Sequence, residues 1–270
     1  MANSIPIIVS ALLGAGAGSL LNMIIYRLPR IVDRREIAEF TLWLPRSFCP
    51  QCRHTLAWFD NIPLFSWLIL RGRCRNCNCI IPRSYPLTEL GTMLSTLLLT
   101  LLMPSGETLL AACLFSWIGL ALIRIDLEYH LLPDLLTLSL LWLGMLLHLF
   151  GWLPQVTLQQ SVAGAIAGYG TLWLLARGYR IMRGREGLGM GDVKLLAALG
   201  VWLGWQPLPL LLLLASGGSL IWLGLSYLMF RQPIREPFPF GPGLAIAGLI
   251  LFIWATLSTP GHSAALLFRI

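Results

Sequence analysis

Apolar residues are grouped along most of the chain into long stretches that contain few charged positions. A transmembrane helix needs about 20 consecutive, predominantly apolar residues. The pattern therefore predicts an all-α polytopic membrane protein with about eight transmembrane helices. The stretches are residues 5–28, 86–103, 108–124, 133–150, 159–177, 194–206, 209–230 and 241–258.

The composition excludes other broad classes of protein. Of the 270 residues, 57% are hydrophobic and only 11% are charged, and the mean hydropathy is +0.76. A soluble domain carries about 25% charged residues, and a disordered chain has far less apolar surface than this one. The first stretch is too long for a signal peptide, has no basic residue before it, and is followed by Arg27 and Arg30. We therefore interpret it as a transmembrane helix.

The basic residues fall on one side of the predicted membrane. The chain has 19 Lys and Arg residues against 12 Asp and Glu residues, a formal net charge of +7. When the stretches are threaded alternately, the segments on one side collect 18 of the 19 cationic residues, and Arg269 lies opposite. Positive residues mark the cytoplasmic side, so both termini are predicted to lie outside the cytoplasm. The net charge reflects topology and gives no support to nucleic-acid binding.

The loop that follows the first span contains two CxxC pairs. Cys49 and Cys52 are separated from Cys74 and Cys77 by 21 residues, which is the spacing of a four-thiolate zinc ribbon or knuckle. A loop of this size needs a cross-link or a bound metal ion to fold. The reducing cytoplasm favours a metal ion over disulfides. Redox chemistry by these thiols is the alternative, and Cys79 is a spare thiol nearby. The predicted domains are a first transmembrane helix at 1–28, a cytoplasmic zinc-ribbon-like loop domain at 29–85, and a seven-helix transmembrane domain at 86–270.

Acidic residues near the ends of the predicted spans are the candidates for chemistry, because ionisable groups in apolar surroundings are usually functional. They are Glu89, Asp126, Glu128, Asp134 and Asp192. Asp126 ends the third span, where the negative end of the helix dipole disfavours an acid. The alternative is a solvated residue just past the helix end. Asp134 follows Pro133 at the start of the fourth span, and we predict a helix-capping role for it.

Asp192 lies in a glycine-rich turn immediately before the sixth span. Gly187, Gly189 and Gly191 precede it, and Lys194, the only lysine of the chain, follows it. Asp is a preferred N-cap residue, so capping is one role open to Asp192. The glycines also allow the backbone to approach another group closely. A nucleotide site is not supported, because the phosphate-binding pattern GxxxxGK[ST] is absent.

Topology places two of these acids together. Asp126 and Asp192 are predicted at the cytoplasmic ends of the third and sixth spans. Two acids that share one proton can activate water against a peptide bond, with one acting as base and the other as acid. The sequence therefore suggests an aspartic protease of the intramembrane type.

Several motifs together resemble those of the type IV prepilin peptidases, a family of membrane aspartic proteases with a GxGD motif. The matching segments extend over nearly the whole chain. They are Gly18-Ser-Leu-Leu-Asn22, Arg27-Leu-Pro29, the four-cysteine loop, Asp60-Asn-Ile-Pro63 with Ser66-Trp67, Tyr85-Pro86 to Glu89, Asp126 with Leu132-Pro-Asp134, Gly189-Met-Gly-Asp192, and Pro239-Phe-Gly241-Pro242. Each segment is a weak signal alone, and their common order is specific.

The resemblance implies that Asp126 and Asp192 are the catalytic pair of a membrane aspartic endopeptidase. Its substrates would be prepilins or type II secretion pseudopilins, cleaved after the Gly that ends a basic leader, at the cytoplasmic face of a bacterial inner membrane. The new N-terminal residue would then be methylated, with S-adenosylmethionine as donor. No dinucleotide-type glycine fingerprint is visible, so the sequence does not place the methyl-donor site. The loop after the first span is one candidate location for that site.

One position departs from the family pattern, which usually has a small residue two places before the first catalytic Asp. This chain has Arg124 there. Positions two apart on a helix point to different faces, so Arg124 is expected to extend to the lipid headgroups. A contact with Asp126 would instead weaken the shared-proton arrangement.

Two other functions are compatible with parts of the pattern. A polytopic ion transporter with a zinc-ribbon regulatory loop would also contain intramembrane acids, although it would place them near the bilayer midplane in broken helices. A non-catalytic zinc-ribbon membrane adaptor would leave the turn from Gly189 to Asp192 without a role.

Overall fold

The computed structural model describes residues 4–32, 41–44, 46–103, 106–185, 187–230 and 239–258. Within these residues the chain is helical, with two isolated β-bridges in the cysteine loop. The helices are α1 (Ser4–Val32), α2 (Phe65–Ile69), α3 (Ser84–Leu102), α4 (Glu107–Tyr129), α5 (Asp134–Leu149), α6 (Leu158–Arg183), α7 (Met190–Leu203), α8 (Leu208–Phe230) and α9 (Gly241–Leu257).

Each predicted span coincides with a described helix, and the short α2 lies in the cysteine loop. The largest boundary difference is at α6, which continues to Arg183 rather than ending at 177. At the two helices that carry Asp126 and Asp192, α4 continues to Tyr129 rather than ending at 124, and α7 begins at Met190 rather than at 194. Both extensions cover charged residues, which the hydropathy pattern excluded. The basic segment 231–238 and Arg269, which entered the topology prediction, lie outside the described residues.

Four of the described helices are long and apolar enough to cross a membrane. They are Pro6–Val32, Ser84–Leu102, Glu107–Tyr129 and Leu208–Leu228. Shorter apolar helices occupy Asp134–Leu149 and Gly241–Leu257. The protein is therefore a multi-pass membrane protein, as predicted.

The chain forms two compact units, Met1–Leu102 and Met103–Ile270. In the first unit α1 packs against α3, and glycine permits the close approach. A Cβ atom at Gly14 would lie 2.8 Å from the Cα atom of Met93, and one at Gly18 would lie 2.5 Å from the Cα atom of Glu89. Small residues allow helix backbones to approach in this way in a membrane, where packing rather than hydrophobicity drives association.

In the second unit α7 is the central helix, with α5, α6 and α9 packed against it. Its residues from Leu195 to Leu203 are buried. The backbones of α6 and α7 meet at Gly164 and Gly200, where a Cβ atom on either glycine would clash with the carbonyl group of the other. The Trp202 indole N–H donates to the Leu140 carbonyl oxygen at 2.9 Å and ties α7 to α5. These contacts fix the helix that carries Asp192.

Candidate active site

Asp126 lies inside the last turn of α4 and is only 5% exposed. The helix continues for three more residues to Tyr129 and ends at His130, whose left-handed backbone (φ 51°) closes it. The alternative of a solvated residue beyond the helix is therefore wrong. The Gly241 backbone N–H donates to Asp126 Oδ2 at 3.1 Å in buried surroundings. Gly241 is the first residue of α9, so the positive end of that helix faces the carboxyl group.

Asp192 is the third residue of α7, and Gly189 is the N-cap residue. Asp192 lies in the first turn and not at the N-cap position, so the N-cap alternative is wrong. Its Oδ1 atom is buried and has no hydrogen-bond partner among the described residues. A buried carboxyl oxygen without a partner is costly in a structural role. It is expected of a group that receives a proton, a water molecule or a substrate.

The two carboxyl groups lie close enough to interact electrostatically. Leu132, in the turn between α4 and α5, packs between the starts of α7 and α9. A Cβ atom on Gly191 would lie 2.7 Å from Leu132 Cβ, and one on Gly241 would lie 3.0 Å from Leu132 Cδ2. Glycines at both positions therefore allow α7 and α9 to close around the acid pair. The predicted proximity of Asp126 and Asp192 is present in the fold.

Asp134 begins α5 as predicted, but its carboxylate does not cap the helix. It forms an ion pair with Lys194 across the start of α7, with Lys194 Nζ at 2.6 and 2.8 Å from the two oxygens. The pair is partly exposed. Asp134 thus occupies the first turn of α5 directly after Pro133, as predicted, while its carboxylate accepts from Lys194.

Arg124 does not pair with Asp126 in the described structure. Its Nη2 atom lies 3.5 Å from Glu128 Oε2, one helical turn further along α4. This i, i+4 pair lies on a different face of the helix from the buried acid. The departure from the family pattern thus gives Asp126 no ion pair with Arg124 in the described structure.

The cysteine loop contains two turns of the same geometry. After Cys49, the Arg53 N–H donates to the Cys49 carbonyl oxygen, and after Cys74, the Asn78 N–H donates to the Cys74 carbonyl oxygen. Arg53 and Asn78 have left-handed φ angles of 55° and 56°. In each turn the first cysteine N–H donates to the carbonyl oxygen five residues later. The duplicated turn directs two thiols from each half toward one point.

Four thiols of this loop form a cluster that can hold a metal ion. The sulfur atoms of Cys49, Cys52, Cys74 and Cys77 all lie within 4.8 Å of one another. Cys49 Sγ and Cys77 Sγ are 3.8 Å apart, close to the separation of about 3.8 Å that four sulfurs have around a tetrahedral zinc ion with Zn–S bonds of about 2.3 Å. The donor set and its geometry therefore fit Zn²⁺.

Cys49 is suited to be a thiolate ligand. Burial raises the pKa of its thiol, but the backbone N–H groups of Cys52 and Gln51 stabilise the thiolate, and the pKa is lowered to about 6. The fifth thiol of the loop, Cys79, has its sulfur 3.5 Å from Cys49 Sγ. It occupies the place in the second turn that His54 occupies in the first.

Each of the two compact units contains a segment that matches a known protein family. Residues 12–103 match the family described as the bacterial Peptidase A24 N-terminal domain, and residues 113–224 match the type IV leader peptidase family. The chain belongs to the type IV leader peptidase family. The membership predicted from the sequence is confirmed, and with it the prediction of an aspartic peptidase.

Curated members of the type IV leader peptidase family are similar to this chain over most of their length. The "Prepilin leader peptidase/N-methyltransferase" of Aeromonas salmonicida (strain A449) is 44% identical over 268 residues, covering 93% of this chain and 91% of the relative. Relatives with the same name from Aeromonas hydrophila and Dickeya chrysanthemi are 46% and 43% identical, and cover 88% and 97% of this chain and 87% and 98% of their own lengths. No solved structure matches.

Besides the pair of Lys194 and Asp134, two contacts within these leader-peptidase units were not predicted from the sequence. The first is the Gly241 N–H bond to Asp126, and the second is the pair of bonds that Glu89 accepts from Asn22 and Leu64 in the first unit. The segments that contain these residues were visible in the sequence as separate motifs. A contact between segments distant in the chain leaves no signal in hydropathy or spacing.

Proposed function

We propose that this chain is a membrane aspartic endopeptidase that cleaves the basic leader after Gly from type IV prepilins, type II secretion pseudopilins, or both. The observation that carries the proposal is the pairing of Asp126 and Asp192, one buried on α4 and the other with an unpartnered buried oxygen on α7. The names of the curated relatives support the choice of substrate.

The acid pair supplies general acid–base catalysis. One carboxylate takes a proton from a water molecule, and the oxygen of that water attacks the scissile carbonyl carbon. The other carboxyl group gives its proton to the amide nitrogen as the C–N bond breaks, so the products are the leader carboxylate and the mature N-terminal amine. The Gly241 N–H holds the Asp126 carboxyl group in a fixed orientation, which reduces the reorganisation needed during the reaction.

The second proposed activity is methylation of the new N-terminal amine with S-adenosylmethionine as the donor. An N–CH₃ bond forms as the S–CH₃ bond breaks, the amine loses one proton, and the donor is left as the uncharged thioether S-adenosylhomocysteine. Bound zinc at Cys49, Cys52, Cys74 and Cys77 would supply folding energy to the loop domain.

The proposed architecture has eight transmembrane helices in a bacterial inner membrane, surrounded by lipid, with the active site facing the cytoplasm. The first helix (1–28) leads to the cytoplasmic zinc-binding loop domain (29–85), and the remaining seven helices (86–270) form the peptidase domain. This arrangement follows from the positive-inside distribution.

The proposal is tested with a detergent-solubilised prepilin and the purified chain. Asp126→Asn and Asp192→Asn should each abolish cleavage while the variants keep the wild-type melting temperature and zinc content. Asp134→Asn is the matched control and should cleave, because its carboxylate pairs with Lys194 outside the acid pair. Cleavage by either of the first two variants would refute the assignment of the pair. Mass spectrometry of the new N-terminus reports methylation separately.

A further inference from the structure

The short helix α2 in the cysteine loop has an apolar face that the described residues of the chain leave uncovered. Phe65, Leu68 and Ile69 are spaced i, i+3 and i+4, so they share one face of the helix. They are 66%, 65% and 74% exposed. Ser66 and Trp67 lie on the other side of α2 and line a cavity between α1, the cysteine loop and α3. The exposed face therefore takes no part in packing the loop.

Hydrogen bonds at the end of α2 give this face a fixed direction. The Gly72 N–H donates to the Trp67 carbonyl oxygen at 2.8 Å, and the Arg71 N–H donates to the Leu68 carbonyl oxygen at 3.1 Å. This is the hydrogen-bond pattern of a Schellman motif, and Arg71 and Gly72 have left-handed φ angles of 52° and 69°. The Trp67 indole N–H also donates to the Ile81 carbonyl oxygen at 3.4 Å. The inner side of α2 is thus attached to the loop, and the apolar face is directed away from it.

A hydrogen bond just before α2 sets the depth of the helix in the membrane. The Leu64 N–H donates to Glu89 Oε2 at 2.8 Å, and Glu89 lies in the candidate span Ser84–Leu102. A helix rises about 1.5 Å per residue, so Glu89 is about 8 Å from the start of α3. The headgroup region of each leaflet is roughly 5–8 Å thick. The helix α2 therefore begins beside the part of α3 that crosses the lipid headgroups.

Lipid has access to the same turns of α3. Leu87 and Leu90 lie on either side of Glu89 in the sequence and are exposed, and Leu94 and Leu98 continue the exposed apolar positions along the helix. Exposed leucines on a membrane-spanning helix face the acyl chains. The lipid-facing surface of α3 thus extends to the turn to which α2 is attached.

The charges around α2 complement a phospholipid surface. Arg71 and Arg73 follow the helix, Arg83 precedes α3, and all three are exposed. The segment 61–88 contains no acidic residue. Arginine side chains near an interface extend to the headgroups, where phosphate groups attract them. An apolar helix face with adjacent cations is typical of a segment that lies in the membrane interface.

We propose that α2 is an interfacial helix, with Phe65, Leu68 and Ile69 inserted among the acyl chains of the adjacent leaflet and with Arg71 and Arg73 at its phosphate groups. The predicted topology identifies this leaflet as the cytoplasmic one. Docking of α2 holds the cysteine loop against the bilayer. The inference depends on the membrane spans of the first unit and does not depend on the proposed peptidase chemistry.

Photo-cross-linking of the zinc-loaded full chain tests the proposal. The chain is placed in nanodiscs of phosphatidylethanolamine and phosphatidylglycerol that contain a phospholipid with a diazirine in the upper part of one acyl chain. Trypsin cleaves after Arg53 and Arg71, so α2 is released on the peptide 54–71, which contains no part of a candidate span. The peptide 84–124 contains α3 and is the positive control. The proposal expects lipid attached to both peptides.

A pair of variants separates insertion of the apolar face from chance contact with lipid. Leu68→Asp combined with Ile69→Asp should lose the label on the α2 peptide and keep it on 84–124, because charged groups are unfavourable among acyl chains. Leu68→Met combined with Ile69→Val is the matched control, since it keeps the face apolar, and it should be labelled like the wild type. Zinc content and melting temperature establish that both variants are folded.

Two results would overturn the proposal. The first is a wild-type chain in which 84–124 carries lipid and 54–71 does not. If native mass spectrometry of that chain also shows a dimer that the double Asp variant lacks, the face belongs to a second copy of the chain. The second is an unchanged label on 54–71 in the folded double Asp variant. Neither result bears on cleavage by Asp126 and Asp192, which the prepilin assay measures separately.

Discussion

Lys194 Nζ lies 2.6 and 2.8 Å from the two carboxylate oxygens of Asp134, and this pair joins the start of α5 to the start of α7. Asp192 is two residues before Lys194 on α7, so the ion pair lies beside the proposed catalytic acid without including it. The ion pair also distinguishes Asp134 from Asp192, the two acids near the glycine-rich turn. Asp134 has a cationic partner, whereas Asp192 Oδ1 has none among the described residues.

Removing this ion pair should have a small effect. Both side chains are partly exposed, and exposed pairs contribute at most about 1 kcal/mol. We expect Asp134→Asn and Lys194→Met to lower the free energy of unfolding by less than about 1 kcal/mol and to retain prepilin cleavage. Urea titration and a cleavage assay measure the two effects. Loss of cleavage in folded Asp134→Asn would mean that Asp134 belongs to the catalytic group.

A methyl group at Gly241 should disturb the acid pair directly. A Cβ atom there would lie 2.7 Å from Asp126 Oδ2 and about 3 Å from Leu132, so the carboxyl group must move. Misplacement of a catalytic group by about 1 Å can cost about 100-fold in rate, and we expect a loss of that order in kcat for Gly241→Ala.

Gly119→Ala is the matched control for this substitution. Gly119 lies on the same helix as Asp126, and an added Cβ atom meets nothing within 4 Å. It should cleave at the wild-type rate. Equal rates for the two folded variants would show that the contact between Gly241 and Asp126 does not matter for catalysis.

The packing of α6 on α7 should depend on two glycines. Gly164 and Gly200 face each other with their backbones in contact, so Gly164→Ala or Gly200→Ala forces the helices apart. Overpacking of this kind costs about 1–3 kcal/mol, and we expect a melting temperature several degrees below that of the wild type. Gly170→Ala on α6 has open space around the added atom and should leave it unchanged. Three equal melting temperatures would contradict the close contact.

The cysteine loop should bind one zinc ion through four of its five thiols. Cys77→Ser removes a member of the cluster and should lower zinc content and expose the loop to proteolysis, because metal binding supplies folding energy. Cys79→Ser is the control, since Cys79 contacts Cys49 but is a spare thiol of the CxxC pattern. Atomic absorption and limited proteolysis report the outcome. Loss of zinc in Cys79→Ser with retention in Cys77→Ser would exchange the two assignments.

Hydropathy predicted the helices well because burial in lipid leaves a long, continuous signal. It misplaced the boundaries of α4 and α7 for one reason. Arg124, Asp126 and Glu128 were treated as the end of a span, although the helix continues through them to Tyr129 with Arg124 and Glu128 paired. Asp192 and Lys194 similarly belong to α7. Charged residues end an apolar pattern without ending a helix when their side chains find partners or a site.

Spacing predicted the cysteine cluster because the ligands of each CxxC pair are local. Two thiols three residues apart in one turn can face one ion, whatever the rest of the chain does. The repeated turn, with left-handed backbones at Arg53 and Asn78, was not visible in the sequence, since neither residue is glycine. Local hydrogen bonds to Cys49 and Cys74 impose it.

The sequence by itself determined the membrane class, the eight helical segments, the four clustered thiols and the two candidate acids, because each depends on composition, periodicity or local spacing. Only the tertiary structure decided that Gly241 donates to Asp126, that Lys194 binds Asp134, and that Glu89 is held between Asn22 and Leu64. Each of these contacts joins segments far apart in the chain. Their formation depends on how the helices pack, which is set by many small contacts acting together rather than by any local pattern.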